Sequence, residues 1–427
     1  MGKNTRVFWG VYLCLLCLGG ILFTHMGTTD AVPDLVSAFI VAVGTMAAFT
    51  WILKNEPDGA AAAVMLLGYA VRLAYRYGAD SGKFTLAFTS APSDAVHFWT
   101  ASSNLYWGIP DEIILTKYPY LLRWFYEMFG NNRFAAEYVN ILCWVLGTVI
   151  LLRLGRRAGL SGSKKYILYG IWVILPSSIL IGTDLLRENI MLFFDMWSFY
   201  IFLGWMKSGR KSQLAGAFLL VAPAAYLHTA SIVLWAVYVA IAAFWNVKSQ
   251  KYRFQWKTIQ LIFAGVLGGW LILFSPLRSV FGDYLGDLSL YGITHRAYEV
   301  GGSDYLQWMD CQNLLQFVPY TLLRMAWFLF SPVPFEARGA VDILSFATDG
   351  LPVFCLLAYM VYQLRDKDKR GSICAALVCV LAFSGIFAWG VRNAGTAIRH
   401  RMLVWGILIM GSCIALGKPE TIGKRQN

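Results

Sequence analysis

Long apolar runs separated by short polar segments form the main pattern along this chain of 427 residues. A helix needs roughly 20 apolar residues to cross a bilayer, and most of these runs approach that length. The predicted spans are 6–25, 34–53, 60–76, 134–153, 165–182, 188–206, 213–228, 230–246, 258–275, 343–364, 372–391 and 401–417. A further apolar stretch, 312–331, is either re-entrant, interfacial, or paired with a short second segment near 340. The pattern predicts an all-α, polytopic transmembrane helical bundle with about twelve spans.

Basic residues between the spans predict which way the bundle faces, because Lys and Arg gather on the cytoplasmic side of membrane proteins. The basic segments are 153–165, 207–212, 248–257 and 365–370. We expect the loop 54–59 and both chain termini on that same cytoplasmic side. No boundary between soluble domains is visible, so residues 1–427 are interpreted as a single integral membrane domain.

The remaining segments are then expected on the extracytoplasmic side. They are a first long loop 77–133, a second region 276–342, a short loop 183–188, a turn near His228 and a short basic loop 391–401. The first long loop has polar and aromatic side chains at helical spacing, which is typical of interfacial helices.

Composition agrees with a membrane protein. Hydrophobic residues make up 58% of the chain, charged residues only 14%, and the mean hydropathy is +0.56. Soluble domains carry about 25% charged residues, so a soluble binding module is excluded. The net charge of +12 lies in short loops rather than on a soluble face, so we expect no nucleic-acid partner. The eight cysteines show no spacing typical of a metal site or a disulfide framework.

The stretch VRNAGTAIRHR, 391–401, concentrates positive charge against the usual inside bias. Its candidate ligand residues are Arg392, Arg399, His400 and Arg401. A planar guanidinium can bind a phosphate through two hydrogen bonds, so binding of an anionic lipid phosphate is the favoured interpretation. The alternative is pairing with outer-face carboxylates such as Asp184, Glu188 or Glu336.

Asp94 is the candidate general base in the first long loop. It shares one helical face with His97 in the segment APSDAVHFW. The alternative role for Asp94 is a helix N-cap, since Pro92-Ser93-Asp94 is a typical helix start.

In order and spacing, these features resemble the GT-C-type glycosyltransferases, polytopic enzymes that use polyprenyl-phosphate-linked sugars. The matching residues are Asp94, Gly108 at the end of LYWG, Lys117, Tyr118, Pro119, Phe129, Gly130, Arg133, Asn140 and Glu188. Arginines just before a last span, here Arg399 and Arg401, also fit the family. FLFSPVPFEARG, 328–339, resembles a segment of bacterial exopolysaccharide-cluster membrane proteins. The resemblance covers mainly residues 60–210. Three predicted spans precede the loop instead of one, and Ala95 stands where the family often has a second acid.

The resemblance implies a membrane glycosyltransferase that acts at the extracytoplasmic face in cell-envelope polysaccharide biosynthesis. It implies Asp94 and Glu188 as catalytic residues, although a structural pair between Arg187 and Glu188 is an alternative. The implied substrate-binding residues are His97, Lys117, Tyr118, Arg187, Arg392, Arg399, His400 and Arg401. We expect no dedicated metal site, with a divalent cation held by loop carboxylates as the alternative.

The expected partners are a polyprenyl-phosphate- or diphosphate-linked sugar, an acceptor glycan or lipid, and membrane lipid. The expected location is the cytoplasmic (inner) membrane of a bacterium. One alternative function is an O-antigen-type polysaccharide polymerase, in which Arg278 and Arg296 would serve a late outer loop. Another is a flippase or transporter of lipid-linked oligosaccharides, which would need buried charges such as Asp195 along a path.

Overall fold

A computed structural model describes residues 31–80, 91–110, 116–274, 289–294 and 303–418. The described part is all-α apart from a two-residue antiparallel strand pair, Trp245–Asn246 with Lys251–Tyr252. Its first helices are α1 (Ala31–Asn55), α2 (Gly59–Asp80), α3 (Ala91–Trp107), α4 (Tyr118–Phe129), α5 (Arg133–Arg157), α6 (Gly162–Ile174), α7 (Pro176–Leu180), α8 (Glu188–Ser208) and α9 (Lys211–Leu227). The later helices are α10 (Val233–Phe244), α11 (Trp256–Leu273), α12 (Leu290–Thr294), α13 (Leu314–Phe330), α14 (Ala340–Ser345), α15 (Leu351–Gln363), α16 (Arg370–Gly390) and α17 (Ala394–Leu416).

Six helices of the described part are long and apolar enough to cross a membrane. They are Val36–Asn55, Arg133–Arg157, Glu188–Ser208, Ala340–Gln363, Arg370–Gly390 and Ala394–Leu416. The range Ala340–Gln363 comprises α14, α15 and the helical turn Phe346–Gly350 between them. With a rise of 1.5 Å per residue, a helix of about 20 residues matches the ~30 Å hydrocarbon core of a bilayer. The predicted spans among the described residues fall mainly on helices, although 165–182 is broken at Leu175 and 230–246 ends in the strand Trp245–Asn246. The predicted span 6–25 lies outside the described residues.

Helix α17 lies at the centre of the bundle, where it packs against α5, α8, α15 and α16. Nearly all of its side chains are buried. Gly406 lets α8 approach closely, because a Cβ at this position would collide with the side chains of Leu192 and Met196. The centre of the fold is therefore the helix that carries the basic stretch.

The segments predicted to be cytoplasmic meet at one end of the bundle. Lys165 Nζ lies 2.6 Å from Asp58 Oδ2, which joins the loop after α1 to the start of α6. Lys418 N donates to Gly159 O at 3.4 Å, and Lys369 Nζ donates to the carbonyl just before Lys418 at 2.6 Å. The basic loops after α5 and α15 thus share one end with the residues that follow α17.

The segment 391–401 differs from the predicted loop, because most of it is helix. Asn393 is the N-cap of α17, and its side chain accepts a hydrogen bond from Thr396 N at 2.7 Å. Arg399 and Arg401 consequently lie in the opening turns of a central helix and are buried. The hydropathy pattern placed the start of this helix too late because buried arginines interrupt its apolar run.

The predicted outer loop 183–188 is also buried rather than exposed. The helix before it breaks at Leu175, between α6 and α7, and the chain then turns inside the protein. Asn140 Nδ2 donates to the carbonyls of Asp184 and Leu186, at 2.6 and 2.7 Å. Side-chain amides from the neighbouring helix therefore replace the backbone partners that the break removes.

The first long loop, 77–133, contains the two helices α3 and α4, which pack against each other. Helix α4 is amphipathic: Tyr118, Leu122 and Tyr126 are buried at intervals of four residues, while Trp124 is exposed. Together the two helices form a layer beside the start of α17, which α3 contacts.

The stretch 312–331 forms the single helix α13, which packs against α16. Its 17 residues would span about 25 Å, somewhat less than a ~30 Å bilayer core. Of the predicted region 276–342, the structure describes residues 289–294 and 303–342. Arg278 and Arg296 lie outside the described residues.

Candidate active site

Three charged side chains from distant parts of the chain meet at the end of the bundle away from the basic loops. Asp94 lies in the first turn of α3, Glu188 is the first residue of α8, and Arg399 lies near the start of α17. Arg399 Nη1 donates to Asp94 Oδ2, and Arg399 Nε donates to Glu188 Oε1 at 2.5 Å. We call these three residues the acid–arginine cluster.

The two acids of the cluster differ sharply in exposure. The side chain of Asp94 is 48% exposed, whereas those of Glu188 and Arg399 are 2% and 9% exposed. Arg399 therefore holds a buried carboxylate with one edge of its guanidinium and an open carboxylate with the other. Asp94 is the member that a molecule outside the protein can reach. The N-cap alternative for Asp94 has no support, since its carboxylate contacts Arg399 within the first turn of α3.

Two partly buried histidines and a further arginine lie close to the acid–arginine cluster. The rings of His228 and His400 are 5.5 Å apart, and His400 stacks on Phe387 at 4.8 Å. Arg187 Nη1 donates to the backbone carbonyl that precedes His228, at 2.8 Å. The hydrogen-bonded partner of Glu188 is Arg399, while Arg187 acts on Glu188 through its charge.

The residues predicted from the first long loop have different environments. Tyr118 is buried at the start of α4, and its ring meets the edge of Phe98 at 5.2 Å. Burial raises the pKa of its phenol well above the usual value, and the charge of Glu188 adds to that effect. Lys117 and His97 are exposed. Tyr118 therefore lies near the cluster, while Lys117 faces outward at the position next to it.

Arg401 is turned away from the acid–arginine cluster. Arg401 Nε lies 3.4 Å from Asp349 Oδ1, and its other nitrogens donate to the carbonyls of Leu329 and Ser331 at 2.6 and 2.8 Å. Residues two apart on a helix point in nearly opposite directions, which separates Arg401 from Arg399. Arg401 thus joins α17 to the end of α13. The predicted role of Arg401 in binding substrate has no geometric support.

We expect Asp349→Ala to destabilise the protein by about 3–5 kcal/mol, because it leaves the charge of the fully buried Arg401 without its counter-ion. The matched control is Asp342→Ala, which breaks a pair with the half-exposed Arg338 and should cost at most about 1 kcal/mol. Denaturant unfolding in detergent measures both. Equal losses in the two variants would show that the buried pair is not a structural anchor.

A second ionic network, which the sequence did not reveal, lies beside the cluster. Arg76 Nε lies 2.9 Å from Glu137 Oε2, and Arg133 Nε lies 2.8 Å from Glu137 Oε1. Both arginines also approach Asp184 Oδ1, at 3.2 and 3.5 Å. The spacing of Arg133 and Glu137 by four residues is the one part of this network that a sequence can signal. Asp184 is therefore occupied by Arg76 and Arg133 and does not pair with the arginines of α17.

Asp195, the acid inside a predicted span, is fully buried in α8. Ser231 Oγ lies 3.0 Å from Asp195 Oδ2, and Asp195 Oδ1 has no hydrogen-bond partner. In the part of the chain that the structure describes, Asp195 forms no ion pair. One isolated acid does not make a path of charges across the bundle.

Within the described ranges, no group of three or more His, Cys, Asp and Glu side chains could hold a metal ion. No protein-family model, curated protein or solved structure matches this chain. The fold and composition define an all-α protein of the integral membrane class, with helices long enough to cross a bilayer. Any function beyond that class has to be argued from the geometry of the cluster.

Proposed function

We propose that this protein is an integral membrane glycosyltransferase of GT-C type. It transfers a sugar from a polyprenyl-phosphate-linked donor to an acceptor glycan or lipid during cell-envelope polysaccharide biosynthesis. The observation that carries the proposal is the convergence of Asp94, Glu188 and Arg399, the two candidate acids and one candidate arginine, at one end of the bundle. The proposal places about twelve spans in a bacterial cytoplasmic membrane, with both termini cytoplasmic and the cluster outside.

Asp94 suits the role of general base because its carboxylate is open while its position is fixed. Sugar transfer requires a group that accepts the proton of the acceptor hydroxyl as the new bond forms. A carboxylate does so in its charged form, which a neighbouring guanidinium favours. Glu188, buried behind Arg399, holds that guanidinium in place and is assigned a positioning role.

Arg187 and Lys117 are the proposed contacts for the departing phosphate. The negative charge that develops on the leaving group is stabilised by cations already in place. Arg187 lies beside the cluster, and Lys117 is exposed one residue before the buried Tyr118. Arg399 already binds two carboxylates, so it is better suited to orient Asp94 than to bind phosphate.

The exposed side of α3 and α4 suits a surface for the polyprenyl chain. Large apolar side chains are exposed there, at Val96, Trp107, Trp124 and Met128. Aromatic side chains of this kind lie at the level of lipid headgroups in membrane proteins. A lipid-linked donor that lies along this surface would bring its phosphate to the start of α4 and its sugar towards Asp94.

The direct test uses purified protein in nanodiscs with a panel of polyprenyl-phosphate-linked sugars and a membrane-lipid acceptor fraction. Mass spectrometry follows release of polyprenyl phosphate and appearance of the sugar in a new product. We expect one donor to be consumed with formation of product. Movement of intact donor across liposomes without transfer would instead identify a transporter, and chain growth from diphosphate-linked repeat units would identify a polymerase.

A further inference from the structure

A further buried arginine lies outside the acid–arginine cluster. Arg324 belongs to α13, and only 1% of its surface is exposed. A charged residue in an apolar membrane helix is costly, and it usually marks a pathway or a binding site. Neither the residue patterns nor the resemblance singled it out.

The donors of Arg324 are poorly satisfied. Its guanidinium carbon lies 4.6 Å from the centre of the Trp389 ring, and its Nη2 donates weakly to Leu306 O at 3.5 Å. Its Nε and Nη1 atoms are buried and have no hydrogen-bond partner. No carboxylate of the described residues forms an ion pair with Arg324. An arginine carries five N–H donors, so this side chain keeps most of its binding capacity unused.

Arg392 brings a second positive charge to the same place. Tyr305 N donates to Arg392 O at 2.8 Å, and the residue after Tyr305 supplies the carbonyl that Arg324 contacts. The positive charge of Arg392 is close enough to repel that of Arg324. Arg392 Nη2 donates to Thr294 O at 2.9 Å, while its Nε has no hydrogen-bond partner.

We propose that Arg324 and Arg392 form a binding site for a phosphate group. Two guanidinium groups that act on each other, with no carboxylate of the described residues paired to either, repel each other until an anion joins them, and phosphate matches their planar donor geometry. This site is separate from the acid–arginine cluster, because Arg399 binds Asp94 and Glu188 while Arg401 is the arginine of α17 that contacts the end of α13. Phosphate binding by these two side chains does not depend on whether the protein transfers a sugar.

The surroundings favour a phosphate carried by a lipid. The outer face of α13 exposes the apolar side chains Leu314, Leu315, Val318 and Leu322. A prenyl or acyl chain beside α13 would lie along these side chains, while Arg324 on the buried face of the helix would meet only the phosphate. Free inorganic phosphate shares the headgroup chemistry but gains nothing from the apolar face, and this difference separates the two sources experimentally.

The test measures binding to the purified full-length protein in detergent. The probes are farnesyl phosphate, farnesol as the uncharged control, and inorganic phosphate. We expect farnesyl phosphate to raise the Tm and farnesol to have no such effect. Arg324→Met and Arg392→Gln should each weaken farnesyl phosphate binding at least 10-fold. Arg338→Gln, which changes a half-exposed arginine, should bind like the wild type.

The ligand-free variants separate binding from structure. Removing a buried cation without a counter-ion should leave the Tm of ligand-free Arg324→Met unchanged or higher. If Arg324→Met does not fold, the partly exposed Arg392→Gln gives the binding result alone. Equal binding of inorganic phosphate and farnesyl phosphate would assign the site to free phosphate. Binding of neither probe, or undiminished binding in folded variants, would overturn the proposal.

Discussion

Asp94→Asn is expected to lower the rate of sugar transfer by about 10²- to 10⁴-fold, the usual contribution of a general base. The amide keeps the size of the carboxylate but cannot accept the acceptor's proton. Arg399 retains its partner Glu188 at 2.5 Å, so the fold should persist. Because the Asp94 side chain is 48% exposed, its pair with Arg399 should contribute no more than about 1 kcal/mol. Transfer assays with the donor found for the wild type measure the effect.

The matched control for Asp94→Asn is Glu127→Gln in α4. Glu127 is also 48% exposed and also pairs with an arginine, Arg123, at 2.7 Å. It lies away from the acid–arginine cluster, on the exposed side of its helix. We expect full activity and an unchanged Tm in this variant. Comparable activity in Asp94→Asn and Glu127→Gln would remove Asp94 from the mechanism.

Arg399→Gln is expected to destabilise the protein by about 3–5 kcal/mol, because it removes the guanidinium that hydrogen-bonds the buried carboxylate of Glu188. Replacing Arg399 therefore disturbs the fold as well as the reaction, and its loss of activity does not by itself identify a catalytic role. Adding Glu188→Gln to Arg399→Gln removes the stranded charge and should recover part of the stability. The double variant should remain inactive, since Asp94 still lacks its guanidinium.

A double-mutant cycle in detergent measures this coupling. The two single variants and the double variant are compared by denaturant unfolding, with the wild type as reference. We expect strong non-additivity, with the double variant more stable than Arg399→Gln alone. Additive losses would mean that Arg399 and Glu188 do not depend on each other, which would contradict the positioning role of Glu188.

Much of the fold could be predicted from hydropathy, because a bilayer requires long apolar helices. The predicted spans fall mainly on helices, although the last helix begins after its cap Asn393, before the predicted start at 401. The prediction from hydropathy was wrong where polar groups are buried. The segment 183–188 looked like a loop because it carries three charged residues, yet Asn140 holds its backbone inside the protein.

The members of the candidate site could be named from the sequence, but their contacts could not. Arg399 meets Asp94 and Glu188 across separations of 305 and 211 positions, and no local periodicity encodes such a meeting. The sequence predicts that the arginines of 391–401 bind a phosphate, but it does not show that their side chains point in different directions. Arg399 meets two acids, Arg401 meets Asp349, and Arg392 donates to a carbonyl of α12.

The environment of Arg324 could not be predicted from the sequence either. In the sequence it is one charge in an apolar stretch, with no motif around it. Its environment includes Trp389 and Arg392, which lie more than sixty positions later in the chain. They become neighbours of Arg324 only when α13 packs against α16. Unused hydrogen-bond donors are a property of the folded environment, so a sequence cannot indicate them.

The central claim is that a lipid-linked sugar reacts at the acid–arginine cluster. A cryo-electron microscopy structure of Asp94→Asn in nanodiscs with its intact donor bound tests this most directly. The account predicts the sugar–phosphate linkage beside residue 94, with the phosphate near Arg187 and Lys117 and the prenyl chain along α3 and α4. A donor ordered elsewhere on the protein, with the cluster empty and Arg399 still bridging, would contradict it.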